Sequence, residues 1–272
     1  MRRFQAFAAL CLVLVAPSAQ AAAAATWRAP DPDNTLIIDT SQGRIVVEMR
    51  PDFAPQSVAR VKLLAREGVY DGLLFHRVID RFVDQTGNPN NHDGGVSSHP
   101  NLPPEFGVAL PPTAVEATAT QASDGISGFV GATPFTATQI PTAKGEWRAA
   151  GAYCAGVVGM GREEDPASGN SEIFFMREAS RRLDRQYSVW GRVIWGLSAV
   201  RAMAPGEPPA HPDRLIKVRV LADLPQAERP RLQVMDPRSV AFKALLAQTR
   251  AAKGADFTVC DIEVPARISA VP

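Results

Sequence analysis

The apolar residues of this chain come almost entirely in short runs rich in β-branched and aromatic side chains. That pattern constrains the fold more than any single motif. In "TLIIDTSQGRIVVEM", residues 35–49, two strand-like runs flank Ser41-Gln42-Gly43, a hairpin signal. "GAYCAGVVGM", "SEIFFM", "YSVWGRVIWG" and "RLIKVRVLADL" read as further strands. One helix interrupts them, in "APQSVARVKLLAREG". Pro55 suits its first turn, Val58, Val61, Leu64 and Ala65 fall at helical spacing, and Gly68 closes it in the left-handed position. An Asp71-Gly72 turn then leads into another strand. Many short strands with few helices point to a mainly β protein, an antiparallel barrel or sandwich.

Two stretches depart from that pattern. From about residue 88 to 150 Pro, Gly, Thr and Ser dominate, apart from "LPPEF" and "GFVGA". Connections that long are usually functional or mobile. Residues 225–272 look like an addition. "DPRSVAFKALLAQTRAAKG" predicts a helix with Asp236 as cap and Pro237 in its first turn. Phe242, Leu245, Leu246 and Thr249 share one face, and Lys253 and Gly254 mark its end. This reads as a helix docked on its own domain, with "FTVCDIEVPARI" as a terminal strand.

With 29 basic and 28 acidic residues in 272, the chain shows neither a basic footprint for nucleic acid nor an acidic tail. Its first 21 residues read as a signal peptide: Met1-Arg2-Arg3, then "FAALCLVLVA", then the small residues of "AQA". Residues 22–34 read as a spacer, and no later apolar run is long enough to span a membrane. The mature protein is therefore expected to be exported, and periplasmic if the source is a Gram-negative bacterium. Cys154 and Cys260 remain in an oxidising compartment, either bridged or as two separately buried thiols. A bridge would close a loop of roughly 100 residues, worth about 4–5 kcal/mol in the chain-entropy view.

The segment "FHRVIDRFVDQTGN" poses the chemical question. It alternates like a half-buried strand, yet places Arg77 and Gln85 among Phe82 and Val83. No phosphate-binding glycine loop, CxxC or HExxH is present, and His76, His92, His99 and His211 lack metal-ligand spacing. Neither a metal nor a cofactor is implied. His76, next to Arg77, is expected to point to the opposite face as a structural hydrogen-bonder.

Read together, "YDGLLFHRVIDRFVDQTGNP", "GMGREEDPASGNSEIFFM" and "RRLDRQYSVWGRVIWG", in that order, resemble the cyclophilin family of peptidyl-prolyl cis–trans isomerases. The resemblance covers residues 35–224 apart from an insertion at about 107–150. It implies a closed eight-stranded antiparallel barrel capped by two helices, with the active site on the outer face. Arg77 falls at the family's catalytic arginine and Gln85 at the glutamine that orients it. Phe82, Val83, Phe174 and Leu183 match the walls of the proline pocket, and Gly161 and Arg162 the backbone-binding segment. "LPPEF" carries Glu105 and Phe106, a segment common in bacterial members. Three positions differ. Glu172 replaces the usual second glutamine, Arg182 the tryptophan that contacts cyclosporin in many eukaryotic members, and Tyr187 a rim histidine. A Glu172 carboxylate near Arg77 would either hold the guanidinium or compete with the substrate for it. The implied function is isomerisation of X–Pro bonds in proline-containing segments of exported proteins. The alternatives are a proline-peptide binding or chaperone module with little turnover, and an interaction protein working through the insertion and C-terminal helix.

Overall fold

The computed structural model describes residues 25–87, 97–140 and 145–269, so the signal-peptide reading and His92 lie outside the described residues. The chain opens with β1 (Trp27–Arg28), β2 (Thr35–Thr40) and β3 (Gly43–Met49), then α1 (Pro55–Arg66), β4 (Arg77–Ile79) and β5 (Val83–Thr86). Next come β6 (Val108–Leu110), β7 (Ala117–Gln121), β8 (Gly125–Val130), β9 (Thr133–Gln139) and β10 (Trp147–Gly151). Then follow β11 (Val157–Met160), β12 (Ile173–Met176), β13 (Val189–Trp195), α2 (Leu197–Ala202) and β14 (Leu215–Val220). The chain closes with β15 (Arg231–Met235), α3 (Val240–Lys253) and β16 (Ala266–Ser269).

Eight strands form one antiparallel sheet in the order β14-β2-β3-β13-β11-β12-β5-β4. Its two ends meet. Gly72 N–H donates to the Leu215 carbonyl at 2.9 Å, Leu215 N–H to that of Leu73 at 2.8 Å, and Phe75 N–H to that of Asp213 at 2.8 Å. These bonds complete the barrel. Period-two alternation sends Leu36, Ile38, Ile45, Val47, Val218 and Phe175 into its interior, where Trp190 and Phe75 are fully buried. Val58, Val61 and Leu64 of α1 and Val200 of α2 cap that interior.

The first turn of α1 illustrates why these residues form this helix. Ala54, at its N-cap, offers no side-chain acceptor. The Glu105 carboxylate fills the role from 48 and 49 residues away, accepting the N–H groups of Ser57 and Gln56 at 2.8 Å each. An anion at a helix N-terminus meets both unpaired donors and the favourable end of the dipole. Gly68, at φ 71°, ends the helix as the spacing predicts.

The insertion corrects the expectation of an irregular stretch. It folds into a five-stranded antiparallel sheet, β6-β10-β9-β8-β7, with its own apolar cluster around Phe53, Val130 and Phe135. Its inward positions are largely alanines, Ala117, Ala119, Ala137 and Ala149, set against threonines. The apolar alternation is therefore too weak to read in "ATATQ" or "TPFTATQ".

The C-terminal extension corrects four further details. Ser239, not Asp236, caps α3, its Oγ accepting from Phe242 N–H at 3.1 Å. Pro237 lies in the turn before the helix rather than in its first turn. "FTVCDIEVPARI" begins with a 3-10 turn, Val259–Asp261, and only its end is β16. Trp27 and Arg28, placed in the spacer, pair with β15, so β1-β15-β16 form a third sheet. Phe242 and Leu246 of α3 are buried, and the Phe242 ring meets Phe129 of the insertion edge-on at 5.2 Å. Cys154 and Cys260 are joined by a disulfide.

Candidate active site

Strand register explains how an arginine comes to stand beside apolar rings. Arg77 of β4 faces Gln85 of β5, Gln85 faces Phe174 of β12, and Phe174 faces Gly159 of β11. Lateral neighbours in a sheet project to the same face, so these four form one row on the barrel's outside. Val83 and Met176, two residues along, share that face and its apolar cluster. Asp84, between them, turns the other way and is fully buried against Arg177 Nη1 at 2.9 Å.

The guanidinium of Arg77 is held at two points. Its Nη1 donates to Gln85 Oε1, and its Nε donates to Glu207 Oε2 at 2.6 Å. Gln85 in turn donates through Nε2 to Glu172 Oε1 at 3.1 Å. With Glu172 Oε1 accepting from its amide nitrogen and the Arg77 guanidinium able only to donate, Gln85 is left with one orientation, its carbonyl towards Arg77. Glu172 is 6% exposed and reaches in over Gly161, where an added Cβ would overlap its carboxylate. The expectation that Glu172 contacts Arg77 is corrected here: it acts at one remove, and the carboxylate on Arg77 is Glu207. His76 is a hydrogen-bonder as expected, but its direction is corrected: its Nε2 lies 3.2 Å from Glu172 Oε1, so it joins the same network instead of facing away.

The apolar part sits beside this fork. Phe174 stacks on Tyr153 at 5.7 Å and meets Tyr187 edge-on at 5.6 Å. Val83 and Phe174 are each 3% exposed, while Phe82, Leu183 and Tyr187 pack against the same cluster and remain half-buried. Gly159 is required under this floor, since an added Cβ would run into the Phe174 ring and the Tyr153 hydroxyl. Burial pushes the Tyr153 hydroxyl well above its ordinary pKa, so it stays neutral.

Two further cations cover the rim. The Arg182 guanidinium lies 4.7 Å over the Phe82 ring. That of Arg162 lies 4.5 Å over Tyr187 and 5.6 Å over Phe106, its nitrogens donating to the carbonyls of Gln186, Glu163 and Glu164. The structure thus brings together every site residue expected from the sequence. Glu207 and Tyr153 were missed: Glu207 sits in "PGEPP", a proline-rich connection without periodicity, and Tyr153 reads as one more strand residue.

A sequence profile of the cyclophilin type peptidyl-prolyl cis–trans isomerases matches residues 35–220, well over half of the chain. The chain belongs to that family. Like its other members, this cyclophilin-type protein is an isomerase with a mainly β barrel fold. It is 33% identical over 214 residues to a probable peptidyl-prolyl cis–trans isomerase of Brucella suis, spanning 73% of this chain and 88% of that one. The Brucella melitensis counterpart matches to the same extent. Among solved structures, cyclophilin AquaCyp293 from Hirschia baltica superposes with a TM-score of 0.82 at 31% identity, covering 90% of this cyclophilin-type chain and 94% of its own. That likeness runs beyond the profile's limits at residues 35 and 220, into segments flanking the barrel.

Proposed function

We propose that this isomerase turns X–Pro bonds in proline-containing segments of exported proteins, with Arg77 as the catalytic residue and Gln85 as the residue that positions it. Amide resonance sets a rotation barrier of about 18–20 kcal/mol, although X–Pro bonds prefer trans by only about 0.5–1 kcal/mol. No covalent bond need change, so the task is to bind the twisted amide better than either planar form. In the twisted state the proline nitrogen regains its lone pair. A guanidinium already fixed by Gln85 and Glu207 can donate to that lone pair without reorganising. Phe82, Val83, Phe174 and Leu183 hold the ring, and Gly161 and Arg162 the adjoining backbone, while the acyl side turns. The observation that carries this reading is the lateral row from Arg77 through Gln85 to Phe174.

Residues 1–21 direct export in this reading, and the Cys154–Cys260 bridge supports an oxidising destination. N-terminal sequencing of the mature protein should begin after Ala21. Among the described residues no helix is long and apolar enough to cross a membrane.

One observation favours the binding-module alternative: the Arg182 guanidinium lies over the Phe82 ring, so a proline ring stacking on that face would compete with it. Exchange rates on an Ala-Pro peptide discriminate the two. Arg77→Ala is expected to lower kcat/KM by about 10–100-fold, the worth of one charge-assisted hydrogen bond. Equal rates for variant and parent would remove Arg77 from the mechanism. A parent that binds the peptide without turning it would establish the alternative.

A further inference from the structure

A buried arginine elsewhere on the barrel has no such duty. Arg192 lies in β13 directly opposite Glu48 of β3, where opposite charges ordinarily pair across strands. Glu48 is already engaged: it accepts both arms of Arg28 at 2.6 and 2.9 Å and the Ala132 N–H at 2.8 Å. Among the described residues Arg192 is left with a single hydrogen bond, Nη1 to the Ala132 carbonyl at 3.1 Å, though it is only 3% exposed. Buried guanidinium groups normally have a carboxylate or several carbonyls around them. Burial lowers its pKa to about 10, with the charge of Glu263 opposing that shift, so it remains a cation at neutral pH.

Arg192 lines a cavity of about 220 Å³ where barrel, insertion and C-terminal segment meet. Its lining mixes polar and apolar surface, the apolar part from Ile194, Leu197, Val264 and Pro265 among others, and none of the lining residues belongs to the proline site. Trp195, 41% exposed, stands on the same cavity. We propose that this is a binding site for a small monocarboxylate with a short apolar tail. The carboxylate lies on the free donors of Arg192 and the tail lies against the aliphatic walls. A planar guanidinium matches a carboxylate in two parallel bonds. Glu263 lines the same cavity, and its negative charge disfavours a dianion such as phosphate.

Butyrate, butanol, butylammonium and inorganic phosphate, titrated into the full chain by calorimetry with Trp195 emission as a second readout, test the proposal. Butyrate should bind saturably at one site, and butanol and butylammonium at least about tenfold more weakly. Arg192→Met should weaken butyrate by a similar factor without changing the isomerase rate. Glu263→Gln, an exposed substitution that does not threaten folding, should tighten butyrate about threefold and admit phosphate. The site is refuted if butyrate gives no saturable signal, if butanol matches it, if Arg192→Met binds as the parent does, or if Glu263→Gln changes nothing.

Discussion

At the scale of single residues, the site is a problem in fixing hydrogen-bond direction. A glutamine amide can turn over, presenting either oxygen or nitrogen to its neighbour. Glu172, accepting from Gln85 Nε2 at 3.1 Å, removes that freedom and so aims a carbonyl at Arg77. Glu172→Gln is expected to keep kcat/KM within about threefold, because an amide oxygen still accepts, whereas Glu172→Ala leaves Gln85 unpaired and lowers it about tenfold. Identical rates in the two variants would show that Gln85 is oriented by something else. The Arg77–Glu207 pair is exposed on both sides and therefore screened. Glu207→Gln should reduce kcat/KM only about twofold to fivefold, and a larger loss in steady-state kinetics would mark Glu207 as more than a positioning group. By its resemblance to the family, Arg182 falls at the tryptophan that contacts cyclosporin in many eukaryotic cyclophilins, so inhibition of the isomerase by cyclosporin is expected to be weak. Inhibition as tight as in tryptophan-bearing members would contradict that.

At the scale of elements, the barrel depends on how its ends are joined. Asp213 precedes β14 and ties three pieces together. Ser41 Oγ and Gln42 Nε2, from the β2–β3 turn, donate to its Oδ1 at 2.6 and 2.9 Å, and Ala204 N–H, just after α2, donates to Oδ2 at 2.9 Å. Burial alone would raise its pKa, but the bonds from Ser41, Ala204 and Gln42 outweigh burial and hold it below the ordinary carboxylate range. A lowered folded pKa means stability that is fully present above about pH 4, where the unfolded carboxyl is also ionised, and lost as pH falls through the folded value. Denaturant titrations should therefore show stability falling steeply below about pH 4. Asp213→Asn should cost about 1–3 kcal/mol at pH 7 and flatten that acid limb. An unchanged slope would remove Asp213 from the seam. The hairpin, α1 and the core strands were legible because each is a local periodic signal ended by a local turn or cap. Strands β7 and β9 were not, because alanine and threonine alternate there with little contrast in hydrophobicity.

At the scale of the whole molecule, the insertion and the C-terminal extension lie against the barrel's outer face in one continuous apolar cluster. Ile37 and Val46 of the barrel, Phe129 of the insertion and Phe242 and Val259 of the extension all belong to it. The Cys154–Cys260 bridge spans 106 residues of chain and pins the extension beside Tyr153, the residue under Phe174. Replacing both cysteines by serine is expected to destabilise the protein by about 4–5 kcal/mol, lowering Tm by about 10 °C or more. Calorimetric scans of the oxidised parent and the double variant check this, and coincident transitions would show that the bridge adds nothing.

Sequence by itself determined a mainly β protein and, through its resemblance to the cyclophilins, the barrel and a set of candidate site residues. Two-residue alternation assigns each strand residue to a face without reference to any other strand, and the three site segments keep their residue types in order. It could not determine which carboxylate holds Arg77, which residue caps α1, or that Arg192 loses its cross-strand partner to Arg28. Those are contacts between positions tens to more than a hundred residues apart. Only closure of the barrel, and the docking of two added units on its outer face, brings those side chains within hydrogen-bonding reach.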